Sequence, residues 1–321
     1  MMINKVVVIG GAGFVGSSIV AELNDKGYKV KVLTRNRERA KHLILLPNVE
    51  VEACDIADNT SLKAAVSGCD AVINLIGILH ERKNTTFDFV HHQLPKRIAT
   101  ICQELGIKRL LHMSALRASE DAPSQYLQSK ARGELALAAF KQSLNVTIFK
   151  PSVIFGRDDS FLNLFATMIK YLPVIFLAKP ESKFQPIWVE DVASVFVNSL
   201  QNDDTYHKAF ELVGPSIYTM RELVTKVMGL LHKSKPIIGL SDRLSYIQAW
   251  LLEWLPIKLM TRDNVRSMEV DSVASGPMAP EIAYPLTPLE AIVPSYIINK
   301  TPRAKYHQFR TAAGRVINGR R

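Results

Sequence analysis

Three residues in the middle of the chain carry side chains suited to moving a proton: Ser114, Tyr126 and Lys130. Ser114 closes an apolar run, Arg109-Leu110-Leu111-His112-Met113, that reads as a strand. Tyr126 and Lys130 stand at i and i+4, so a helix places them on one face. An ammonium beside a phenol favours the phenolate and brings its pKa down from about 10. A tyrosine in that state gives or takes a proton near neutral pH. Ser114 is then placed to hold a substrate oxygen. The competing reading of Ser114 is a strand-end hydroxyl that satisfies a turn.

The tyrosine–lysine spacing alone decides little, because Tyr296 and Lys300 repeat it without a strand and serine ahead of them. The Tyr126 copy is favoured by position. It follows the fifth strand-like run and opens a long helical run, Ser124 to Phe140, ahead of the sixth. A proton-transfer pair of this kind needs a redox or electrophilic partner, and the start of the chain points to one.

Val6-Val7-Val8-Ile9 reads as a strand buried on both faces. Gly10-Gly11-Ala12-Gly13-Phe14-Val15-Gly16 follows, then a helix-like run from Ser17 to Leu23. Glycines permit the tight turn and a close backbone approach. The helix start offers free N–H groups to a pyrophosphate, so Gly10, Gly13, Phe14, Val15 and Gly16 are candidate contacts for a nicotinamide dinucleotide. The second strand, from Lys29, ends in Thr34-Arg35 where an acid would bind a ribose 2′-hydroxyl. Arg35, Arg37 and Arg39 suit a 2′-phosphate instead, favouring NADP(H) over NAD(H), with a solvated basic loop as the alternative. Asp55 and Ile56, after the third strand, are placed for the adenine; a helix cap is the other use for Asp55. Leu75, Ile76 and Gly77, after the fourth, are placed beside the adenosine, and Gly77 serves equally as a turn residue. Lys130 is also placed for the nicotinamide ribose.

The elements that must position these groups alternate regularly. Strand-like runs fall near 5–10, 29–34, 49–53, 71–76, 108–114 and 145–150, with helical runs between them, including Pro95 to Leu105. This predicts an α/β fold: a doubly wound parallel sheet in the order 3-2-1-4-5-6, with a smaller C-terminal lobe. The expected division is a dinucleotide-binding core over 1–156, a substrate or lid lobe over 157–299 and a basic tail over 300–321. A strand–helix piece returns at Phe210 to Val213 with a helix from Met220. The lobe is expected to close over the nicotinamide.

Composition narrows the classes. The 321 residues are 47% hydrophobic, enough for one large core with an appended lobe. Cys54, Cys69 and Cys102 show no paired or metal-ligating spacing, so neither a disulfide framework nor a metal site is expected. No signal peptide is read at the N-terminus, and a reduced cytoplasmic setting fits. The net charge is +10, but seven basic residues and no acid lie between Lys300 and Arg321, so the body is nearly neutral. Such a tail meets anionic lipid or an acidic partner, or simply frays into solvent. Nucleic-acid binding is not expected, because the basic residues lack aromatic interleaving. No run reaches the length of a spanning helix. The apolar run from Leu244 to Met260 sets Trp250 and Trp254 on one helix face, suited to a membrane interface or to packing within the protein.

Taken together, these motifs resemble the short-chain dehydrogenase/reductase superfamily in its extended or atypical branch. Lys150-Pro151-Ser152-Val153-Ile154-Phe155-Gly156 resembles the segment that lines the nicotinamide, which implicates Pro151 and Val153. Val189-Glu190-Asp191-Val192-Ala193 resembles the helix start after the lobe crossover. A narrower resemblance, to the nucleotide-binding accessory subunit of respiratory complex I and its bacterial relatives, runs through Asn74 to Leu79, His112 to Leu116, Ser124 to Glu134 and Phe184-Gln185-Pro186. It extends through Leu255-Pro256, Leu259 to Val265 and Leu286 to Ala291. It implies tightly held NADPH, a structural or quinone-linked role without established turnover, and relatives tied to ubiquinone biosynthesis. Implied partners are respiratory-complex subunits or an anionic membrane surface, reached through 244–260 and the tail 300–321, at the inner face of the cell membrane or on the matrix side. The alternative is a free NADP(H)-dependent carbonyl or quinone reductase using Ser114, Tyr126 and Lys130. The stretch from Ser114 to Tyr126 is shorter than in sugar epimerases, which argues against a nucleotide-sugar substrate.

Overall fold

The computed structural model describes residues 2–82, 85–255 and 259–298, with the Arg39 side chain also outside the description. The predicted tail over 300–321, Lys300 included, lies outside the described residues.

Short runs rich in apolar residues build the sheet. Strands β1 (Lys5–Ile9), β2 (Lys29–Thr34), β3 (Val49–Ala53), β4 (Ala71–Asn74), β5 (Arg109–Met113) and β6 (Asn145–Pro151) pair in the order β3-β2-β1-β4-β5-β6. A seventh strand, Ala209–Leu212, adds outside β6, and every pairing is parallel. Parallel strands need crossovers, and the helices that make them cover both faces. Val6 and Val8 face one side with α1 (Phe14–Asp25) and α6 (Val189–Ser199); Val7 and Ile9 face the other with α2 (Asn59–Val66), α3 (Leu94–Glu104) and α4 (Gln125–Ala138). The predicted order is therefore present, and its direction reverses between β1 and β4, the position at which sheets of this kind bind ligands beyond the strand C-termini.

The later part of the chain adds a third apolar cluster. Phe155, Leu162, Phe165, Leu177, Leu223 and Val227 pack there between α5 (Leu162–Tyr171), α7 (Met220–Leu230) and α10 (Leu289–Ile297). Short strand pairs tie it to the sheet: Ile154–Phe155 runs parallel to Ile187–Trp188. Helices α8 (Asp242–Glu253) and α9 (Arg262–Ser267) complete it. The Leu244 to Met260 run is thus helical only to Glu253, and 256–258 lies outside the described residues. Among the described residues, no helix is long and apolar enough to cross a membrane.

Candidate active and cofactor site

The glycine turn takes its shape from backbone demands. Gly10 has φ +87°, a left-handed conformation costly for other residues, and its carbonyl accepts the N–H of Gly13 at 3.0 Å. A Cβ on Gly16 would lie 2.3 Å from the Gly10 oxygen, so α1 packs against the turn only because this residue is glycine. The first turn of α1 has no side-chain cap and no acid, so no capping side chain takes up its N–H groups. Phe14 and Val15 begin this helix, and the Phe14 ring lies close under Gly156.

The other candidate contacts lie around the same strand ends. Arg35 and Arg37 are exposed just after β2. Asp55 is exposed after β3, and its Oδ1 accepts the Ala57 N–H at 2.9 Å. The cap of α2 is Asp58 instead, which accepts from Thr60 and Ser61. Past β4, the Leu75 N–H donates to Ile9 at 3.0 Å, carrying Leu75, Ile76 and Gly77 alongside β1. Pro151 ends β6 and its carbonyl accepts from Leu116, which holds Val153 near the β5 exit. The cradle fits a dinucleotide: a Cβ on Gly77 would come within 3.2 Å of Lys130 Nζ, so the strand-end backbone and the lysine converge there.

Ser114 lies just beyond β5, and α4 carries Tyr126 and Lys130 as one face of a helix capped by Ser124. The buried Lys130 donates from Nζ to the Met113 carbonyl at 3.1 Å. Burial pushes its pKa down to about 8, with Glu134 partly offsetting the shift. The Tyr126 ring packs edge-on against Phe87 and His91, with centroids 6.1 and 5.4 Å away. Desolvation pushes its phenol up to about 12. The expected lowering by Lys130 is not found: desolvation alone sets the direction, with no contribution from the lysine. The Ser114 hydroxyl donates to Glu134 Oε1, while Lys150 meets Glu134 Oε2 at 3.1 Å.

Several groups at the site carry no motif. Residues Asp88–Gln93 form a π-helical turn ahead of α3, and its His91 is buried beneath Tyr126. His91 Nε2 accepts the Ile78 N–H at 3.0 Å, and Nδ1 meets Ser129 Oγ at 2.8 Å. An acceptor at Nε2 makes this the neutral Nδ1–H tautomer, and burial pushes its pKa down to about 2. His112 is buried on β5, with burial and then Lys130 pushing its pKa down to about 3. From the lobe, Asp263 of α9 accepts the N–H groups of Gln125 and Tyr126 at 2.8 and 3.0 Å, capping α4 at the tyrosine itself. The lobe is pinned elsewhere too: Arg117 donates to the Val273 carbonyl, and Ser152 Oγ to the Ser272 carbonyl at 2.7 Å. The repeat tyrosine, Tyr296, is buried in α10 and donates to Asp159 at 2.9 Å, a contact that ties α10 to the cap of α5.

A family model for the NAD dependent epimerase/dehydratase family matches residues 6–212. The chain belongs to that family. It is 35% identical over 234 residues to NADH dehydrogenase [ubiquinone] 1 alpha subcomplex subunit 9, mitochondrial, of Mus musculus, covering 71% of this chain and 61% of that protein. It is 32% identical over 252 residues to the Dictyostelium discoideum protein of the same description, covering 77% and 70%. The NADH-ubiquinone oxidoreductase 40 kDa subunit, mitochondrial, of Neurospora crassa is 28% identical over 272 residues, covering 83% and 71%. The chain thus spans about three-fifths of the length of the mouse relative. Among solved structures, an NADPH-dependent quinone oxidoreductase from Escherichia coli, complexed with NADPH, superposes with a TM-score of 0.73 at 18% identity, covering 92% of this chain and all of that one. A dTDP-glucose 4,6-dehydratase from Streptomyces venezuelae gives 0.72 at 19%, covering 96% and 98%. These two likenesses concern the fold.

Proposed function

We propose that this member of the family holds NADP(H) tightly and serves a structural or quinone-linked role at a respiratory membrane. The observation that carries the reading is the match to the mitochondrial complex I subunits over most of this chain, 77% of it for the Dictyostelium discoideum protein. The site chemistry fits. The amides of Gly13 to Gly16 cradle the pyrophosphate. Arg35 and Arg37 take the 2′-phosphate, Asp55 and Ile56 border the adenine, and Leu75 to Gly77 run beside the adenosine. Tyr126 and Lys130 bond the nicotinamide ribose, and Pro151 with Val153 flanks the nicotinamide. When bound, the nicotinamide supplies a hydride donor or acceptor. Around it, Ser114 and Lys130 already have internal partners, Glu134 and the Met113 carbonyl, which suits retention of the dinucleotide more than rapid turnover. The exposed apolar face of α8 and the basic tail bring the protein to the inner face of the membrane or to a neighbouring subunit.

The test uses protein purified from its own cells. It is denatured, the released nucleotide is identified, and the membrane or soluble origin of the protein is recorded. NADPH from membrane material, resistant to oxidation by added quinones and ketones, is the expected result. Soluble protein with a freely exchanging site that consumes NADPH on carbonyl addition would sink this reading and make the chain a reductase.

A further inference from the structure

The partners of Ser114 decide what kind of oxygen the site accepts. A serine hydroxyl has one proton and two lone pairs. Here the proton goes to Glu134 Oε1. The second carboxylate oxygen, Oε2, faces Lys150 Nζ at 3.1 Å, and Lys150 reaches the Ala118 carbonyl at 3.4 Å. An ammonium only donates, so Lys150 holds Oε2 as an acceptor and leaves Oε1 for the serine. Glu134 is largely buried, with 17% of its side chain exposed, so removing either donor leaves a desolvated lone pair. Ser114 is itself 3% exposed, which leaves its hydroxyl few alternatives.

We infer that Glu134 is a positioning residue that fixes Ser114 as a hydrogen-bond acceptor, so that the site selects ligands presenting an O–H group over ligands presenting a carbonyl. The inference rests on the proposal that Ser114 faces the ligand beside a bound dinucleotide. An alcohol, or the hydroxyl of a reduced ring, donates into the free lone pairs of Ser114. A carbonyl oxygen has no proton to give, and it finds two acceptors facing each other. Carbonyl reduction is then slowed by this arrangement even with Tyr126 and Lys130 intact.

The isosteric variant Glu134→Gln reverses the polarity. Its amide oxygen turns to Lys150, which only donates, so the amide N–H turns to Ser114 Oγ. The serine proton is released toward the ligand. Two readouts follow on protein shown by thermal unfolding to be folded. With NADPH bound, wild type stays near the uncatalysed background with 9,10-phenanthrenequinone, and E134Q reduces it at least about tenfold above that background, the scale of one hydrogen bond. With NADP+ bound, ligand-observed NMR gives wild type a preference for cyclohexanol over cyclohexanone, and E134Q the opposite preference. Glu134→Leu, which removes the acceptor, shows the same gain, and adding Ser114→Ala abolishes it. Equal or slower reduction by both Glu134 variants, a gain that survives Ser114→Ala, or a wild-type preference for the ketone would each overturn the inference. Wild type that takes up no NADPH would instead count against the cofactor proposal, so the two failures are separable.

Discussion

His91 Nε2 accepts the backbone N–H of Ile78 at 3.0 Å, thirteen residues back along the chain. The same ring reaches Ser129 from Nδ1, and Ser129 Oγ donates to the Tyr126 carbonyl at 2.7 Å. One imidazole thus ties the chain after β4 to the helix that carries Tyr126 and Lys130. Replacing it by phenylalanine keeps the stacking on Phe87 and strands the Ile78 N–H, at a cost of about 1–3 kcal/mol at pH 7. The pH dependence gives the sign. The folded ring is held at about 2, below its unfolded value of about 6.5, so the unfolded state binds more protons in acid. Its contribution is complete above about pH 6.5 and drains as pH falls. The stability gap between wild type and His91→Phe should therefore narrow by about 1.4 kcal/mol per pH unit below that point. Urea unfolding at pH 7 and pH 5 measures it; a gap that stays constant would contradict the latch.

Two glycines separate folding from cofactor binding. In Gly16→Ala the new methyl meets the Gly10 carbonyl at 2.3 Å and the Gly11 backbone at 2.6 Å, which no rotamer relieves. It should lower stability by several kcal/mol and abolish dinucleotide binding. In Gly77→Ala the one tight contact of the methyl is with the tip of Lys130 at 3.2 Å, with His91 Nε2 at an ordinary 3.6 Å. That flexible end moves, so the expected loss of stability is under about 1 kcal/mol while NADPH affinity falls about tenfold or more. Calorimetric unfolding with fluorescence titration of NADPH distinguishes the two. Equal effects on both properties for Gly77 would contradict the placement of the ribose beside Lys130.

The sheet could be read from local patterns because its central strands are short, doubly buried apolar runs, as in Val6 to Ile9 and Arg109 to Met113, and β2 and β3, toward one edge, alternate apolar with charged residues. Tyr126 and Lys130 were legible for the same reason, since four residues on a helix is a local relation. Glu134 was not, because it looks like any helical glutamate until β5 brings Ser114, twenty residues earlier, against it. Asp263 caps Tyr126 from 137 residues away, and nothing in its own neighbourhood announces that contact. The π-helical turn at His91 depends on Gly133, whose missing Cβ leaves room for the His91 carbonyl. The direction of the Tyr126 shift was not legible, because residue spacing sets Lys130 on the same helix and says nothing about desolvation of the phenol.

Lys130 and Tyr126 titrate in separate windows with opposite signs. Burial holds Lys130 at about 8, below its unfolded value of about 10.4, so between these pH values the unfolded state carries more protons. Stability of the cofactor-free protein should rise with pH across that interval. Tyr126 is raised to about 12 against an unfolded value of about 10, so the folded state keeps its proton longer and stability falls above about pH 10. Lys130→Met removes the first slope. It should also stabilise the cofactor-free protein at pH 7 by about 1–3 kcal/mol, because a buried charge is gone, while NADPH binding weakens. Urea unfolding from pH 7 to 10 tests this. A rise that persists in the variant would assign the slope to another group.

The outward face of α8 presents a row of exposed apolar side chains. Only Ser245 and Ala249 of this helix are buried, whereas Trp250 is 44% and Trp254 77% exposed. The two indoles meet edge-to-face at 6.3 Å, and Leu244, Ile247 and Leu251 lie exposed on the same helix. Glutamate at both tryptophans should leave folding within about 0.5 kcal/mol of wild type, since these side chains already contact water. If the face inserts at a membrane, the same change should cost about 2 kcal/mol or more per indole in binding, about a thousandfold together. Co-sedimentation with phosphatidylglycerol–phosphatidylcholine vesicles measures this. Salt provides the complementary cut, because it screens the basic residues from 300 onward but leaves apolar insertion intact. Wild type should therefore retain part of its binding at high salt, and the double variant should lose it at that salt. Binding by wild type that vanishes with salt, together with indifference to both tryptophans, would assign vesicle contact to the tail alone.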